Sequence, residues 1–94
     1  MDINEIKDVI IHSVDSLTEK DYAFLNTHSD LPLTSIEIGL TFIEMMYLFM
    51  DIVRRFPDIK FEKEDFYNYG FNSIDNISTL IHYKTLSHPS MKYK

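Results

Sequence analysis

The sequence predicts an all-α bundle of four helices: three of fair length, a short third one, and a long connection between the first and second. Three observations predict it. Apolar residues recur at three- and four-residue spacing in two long stretches and one shorter one, Asp2–Glu5 and Thr41–Glu44 both have the capping-box pattern, and Pro57 and Gly70 fall where helices need to stop. With 94 residues the chain is one domain, large enough for a single modest core without a metal or disulfide.

The first helix opens at Ile3, behind Asp2 and Glu5. Ile3, Ile6, Ile10, Val14 and Leu17 repeat along its inner face, with Val9 and Ile11 widening the stripe and Lys7, Asp8 and His12 outside. Ser16, Thr18 and the charged run Glu19–Lys20–Asp21 end it. From Tyr22 to Leu40 the pattern weakens, and Asn26 to Pro32 reads as loop, with Phe24, Leu31 and Leu33 expected to pack over the open end of the bundle.

The second helix dominates the chain. Thr41 and Glu44 cap its start, Gly39 gives the preceding turn access to positive φ, and Pro57 ends it. Phe42, Met45, Phe49, Ile52 and Phe56 are expected inside, and Met46, Leu48, Met50 and Val53 on the flanks. Glu44, Tyr47, Asp51, Arg54 and Arg55 then form one narrow wet stripe. So much apolar surface fits a helix sandwiched between neighbours. It also fits a docking face, since Met45, Met46 and Met50 cluster there and methionine adapts to varied partners.

After Pro57, Ile59 and Phe61 alternate with polar residues as an extended exit. Glu62 to Tyr69 holds one or two helical turns until Gly70. Ser73 then caps a last helix with Ile74, Ile77, Leu80 and Ile81 inside. Residues 1–83 form the domain, and the basic segment 84–94, broken by Pro89, is expected to be a flexible tail.

Composition excludes several functions. The net charge is −6, whereas nucleic-acid binding needs clustered Lys and Arg. Cysteine is absent, which removes thiolate chemistry and cysteine-based zinc sites. The longest apolar run is interrupted by Glu44, Asp51 and the Arg pair, so no transmembrane span is expected, and the acidic start does not read as a signal peptide. A cytoplasmic location is the expectation. His12, His28, His82 and His88 are scattered without metal-ligand spacing. Glu62, Glu64 and Asp65 suit the start of a short helix better than a catalytic pair. No catalytic residue and no metal site are expected.

The last helix, SIDNISTLI, resembles the T-V-G-D-A-I-D-Y-I stretch of acyl carrier proteins, and FPDIKFEKEDF resembles their F-G-I-E-I-P-D-E-D with one extra residue. The resemblance covers roughly Ile3 to Tyr83 and implies a four-helix carrier-type bundle. Carriers hold a phosphopantetheine arm on the serine of D-L-G-x-D-S-L at the start of their second helix. In one register EIGLTFI, Glu37 to Ile43, falls on that motif and places Phe42 at the serine position, where no arm can be attached. In a second register DLPLTSIE, Asp30 to Glu37, falls there and offers Ser35 as a phosphopantetheine site. It requires a second helix about two turns longer, with Gly39 inside it. The first register needs only a longer loop and is preferred.

IGLTFIEMMYLF and FNSIDNI also resemble the acyl-carrier-related proteins of bacteriocin-type peptide-maturation systems, which accompany peptide-modifying enzymes and lack the modified serine. The resemblance implies a non-catalytic accessory module, and the surface of the second helix offers Met46, Tyr47, Met50 and Arg54 as the residues on which a protein partner docks. One alternative is a genuine carrier armed on Ser35, and another, which the apolar helical surface equally allows, is a small regulator or toxin–antitoxin-like partner. The Arg pair at the helix C-terminus also suits the helix dipole. A monomer or weak homodimer is expected.

Overall fold

The structure is a computed structural model that describes residues 2–67 and 71–91. Among these residues the regular structure is all helical, with α1 at Ile3–Thr18, α2 at Tyr22–Thr27, α3 at Phe42–Arg55, α4 at Lys63–Tyr67 and α5 at Ile74–Met91. Helix α1 lies at the centre of the bundle, against α2, α3 and α5.

Both capping boxes form. Glu5 N–H donates to Asp2 Oδ1 at 2.9 Å and Asp2 N–H to Glu5 Oε1 at 2.9 Å; Thr41 and Glu44 make the same pair at 3.1 and 2.9 Å. Ser73 Oγ accepts the N–H of Asn76 at 3.1 Å and so caps α5. The expected stop at Gly70 lies outside the described residues.

The core is built from Ile6, Ile10, Ile11 and Val14 of α1, Met45, Leu48 and Ile52 of α3, and Ile74, Ile77 and Ile81 of α5. Leu25, Leu33, Ile38, Leu40, Phe56 and Phe71 close it from the connections and α2. Leu31 and Phe24 pack against it as expected.

Three features differ from expectation. The segment after Tyr22 opens with a helix, α2, because Asp21 accepts the N–H of Phe24 at 2.8 Å and Leu25 is fully buried. Tyr22 fastens it to α1 by donating its hydroxyl to Asp8, and that hydrogen bond raises the phenol's pKa. Phe42, expected inside, is 62 % exposed, while the expected flank residue Leu48 is fully buried. The cause is the roll of α3 about its axis: Asp51, assigned to the wet stripe, turns toward α1 and accepts the hydroxyl of the buried Ser13. Finally, α5 runs on to Met91, into the segment 84–94. Lys84 meets Asp65 at 3.2 Å and the carbonyl of Lys60 at 3.1 Å, which joins this part of the helix to α4 and the exit before it.

The long connection from α2 to α3 is held by backbone hydrogen bonds. Leu33 N–H donates to Asn72 at 2.8 Å, Asp75 N–H to Ser29 at 3.0 Å and Leu40 N–H to Leu33 at 3.0 Å. Gly39 adopts φ +82°, and a Cβ there would meet nothing closer than 3.9 Å. Gly39→Ala therefore isolates the backbone term. It is expected to cost about 1–2 kcal/mol of unfolding free energy, read from a urea titration; an unchanged midpoint would contradict a left-handed turn at this position.

Candidate functional site

The helical positions that the roll of α3 leaves outside are Phe42, Ile43, Met46, Tyr47, Met50, Val53, Arg54 and Arg55. Arg54 and Arg55 are the charged residues among them, and Arg55 is held by Asp51 at 2.8 Å. Phe42, Met46, Met50 and Arg54 stand four residues apart and so share one face of the helix, an apolar row that ends in a guanidinium.

Helix α4 turns part of this face into a groove. Phe49 is half-buried, with its ring 5.2 Å from Phe66, 6.2 Å from Phe61 and 5.1 Å from Phe71. Phe66 in turn stands 6.1 Å from Phe42, edge to face. The resulting cleft is lined by Phe42, Met46, Phe49 and Met50 of α3 with Lys63 and Phe66 of α4, and holds about 290 Å³. That is at the lower limit of small-ligand pockets, and among the described residues its lining is apolar apart from one ammonium.

The acids of α3 are already engaged. The Glu44 carboxylate accepts the N–H of Thr41. Asp51 takes the Ser13 hydroxyl, Arg55 Nε at 2.8 Å and Arg54 at 3.5 Å. Partial burial pushes the Asp51 carboxyl pKa up, but these three partners outweigh it and hold it below the usual carboxylate value. The Arg54 side chain remains 76 % exposed.

Of the residues singled out in the sequence, the groove brings together Met46, Met50 and Phe42. Tyr47 and Arg54 lie on the exposed part of α3 without lining it. Phe42 is the first residue of α3, at the helix start where the preferred register put it. Ser35 stands in a turn well before that start: its hydroxyl accepts the Ile38 N–H at 3.4 Å and its carbonyl the Gly39 N–H at 2.6 Å. The longer helix that the Ser35 register required does not form, since α3 begins at Phe42 and Gly39 belongs to the turn. Lys63 and Phe66 were missed, although an aromatic and a base one turn apart in EKEDFYNY were the available signal.

Two of the histidines sit beside aromatic rings. His28 stacks on Phe24 with ring centres 4.1 Å apart, and His12 lies 5.8 Å from Tyr22. Among the described residues there is no group of three or more His, Cys, Asp or Glu placed to hold a metal ion, and no helix long and apolar enough to cross a membrane. No protein-family model, curated protein or solved structure shows significant similarity to the chain.

Proposed function

We propose that this chain is a non-catalytic docking module of acyl-carrier plan, without the carrier's arm, that serves a peptide-modifying enzyme in the cytoplasm. The observation that carries it is the outward face of α3: six exposed apolar side chains on one helix, two of them adaptable methionines that line a cleft. A stripe of this kind suits the docking of a partner element against a hydrophobic groove. The succession of a long α1, a long α3, a short α4 and a long α5 supports the carrier resemblance. Phe42 at the start of α3 supports the absence of an arm, because a phenyl ring has no hydroxyl to attack the pyrophosphate of coenzyme A.

The test is isothermal titration of the purified chain against a peptide-modifying enzyme from the same genome. Binding is expected, with a loss of about tenfold or more for Met46→Asp, since a carboxylate would then be desolvated at the contact. Ser35→Ala is expected to bind normally. Intact mass after incubation with coenzyme A and a promiscuous phosphopantetheinyl transferase is expected to be unchanged. A gain of one phosphopantetheine that disappears in Ser35→Ala would overturn the reading and make the chain a working carrier.

A further inference from the structure

The charge around the groove runs against that of the whole molecule. The chain carries −6, yet among the described residues the only charged side chain lining the cleft is Lys63, and the charged side chains exposed on α3 are Arg54 and Arg55. Lys63 is exposed and pairs with no carboxylate among the described residues. Arg54 reaches Asp51 only at 3.5 Å, while Arg55 and Ser13 occupy that carboxylate more closely, so most of its donors stay free for an outside acceptor.

The nearby acids do not enter the cleft. Glu44 is turned to its own cap, Asp65 is paired with Lys84, and Glu62 and Glu64 adjoin Lys63 in sequence but are not among the lining residues. An acidic protein thus presents an apolar cleft marked by two cations, one at its wall and one a helical turn beyond Met50.

We infer that the element seated on this face is an acidic amphipathic helix of the partner, with an apolar side chain in the cleft between Phe42, Met46, Met50 and Phe66 and carboxylates on Lys63 and Arg54. Complementary charge of this kind selects the partner and sets the orientation, while the apolar contact supplies most of the affinity. The inference rests on the docking reading above and adds the partner's chemistry to it.

Fluorescence anisotropy with two labelled synthetic helices tests it. Both have leucines at i, i+4 and i+7; one is flanked by glutamates and the other has lysine at each of those positions. The acidic peptide is expected to bind about tenfold more tightly at low salt, with the preference shrinking as salt rises. Lys63→Glu combined with Arg54→Glu is expected to reverse the order, with circular dichroism confirming the fold; Asp51 retains Arg55 and Ser13 in that variant. Binding of neither peptide overturns the inference. So does a dimer in sedimentation velocity that excludes the acidic peptide, because the occupant is then a second copy of the chain. Equal binding of both peptides, abolished by Met46→Asp, leaves the docking face standing and removes its charge preference. Peptide binding that ignores Met46→Asp removes the docking face itself.

Discussion

Leu48→Ala is expected to lower the unfolding free energy by about 3 kcal/mol, whereas Met46→Ala, two residues earlier on the same helix, is expected to change it by less than about 0.5 kcal/mol. Leu48 is fully buried in the core that α3 shares with α1 and α5, so truncation removes transfer free energy and leaves a cavity that a close-packed interior fills poorly. Met46 is 45 % exposed and its loss uncovers little that water did not already reach. Urea titrations of the two variants measure both values, with the slope expected to be that of the parent. Comparable losses at the two positions would mean that α3 is rolled differently about its axis. The groove would then have to be rebuilt from another set of side chains.

That roll marks where the sequence stops being legible. The starts of α1 and α3 can be read because each carries a local hydrogen-bonding pattern, Asp2–Glu5 and Thr41–Glu44, and the inner face of α1 can be read because Ile6, Ile10 and Val14 recur at helical spacing. The orientation of α3 cannot be read in the same way. Apolar side chains occur nearly all round it, so burying Leu48 and exposing Phe42, or the reverse, satisfies the periodicity about equally. The observed orientation packs Met45, Leu48 and Ile52 into the core and brings Asp51 to Ser13, separated by 38 positions in the chain.

Helix α2 was hidden for a related reason. Six residues are too few for propensity to count, and this helix depends on its Asp21 cap, on Leu25 in the core and on Tyr22 reaching Asp8. The connection that follows is fixed by pairing with residues 72 and 75 at the start of α5. In the candidate site, Met46 and Met50 were visible as a cluster. Lys63 and Phe66 joined them only when α4 was laid against α3.

Asp51→Ala is expected to cost about 2 kcal/mol at neutral pH, because it strands the buried Ser13 hydroxyl and removes the anchor of Arg55. The direction of its pH dependence follows from the carboxyl's lowered pKa in the folded state. A carboxyl that binds protons less readily when folded stabilises the fold above its ordinary value near 4 and loses that contribution as the pH falls through the folded-state value. The gap between parent and Asp51→Ala is therefore expected to narrow at acidic pH, starting below about pH 4. Urea titrations at about pH 7 and about pH 3 measure the gap; an equal gap at both would show that the ionised form of Asp51 adds nothing. Ser13→Ala separates the two contributions. Removing the donor together with the acceptor leaves no stranded hydroxyl, so the double variant is expected to lose less than the sum of the single losses. Additive losses would mean that Ser13 and Asp51 do not hold α1 and α3 together, and the outward face of α3 would lose the contact that turns it to solvent.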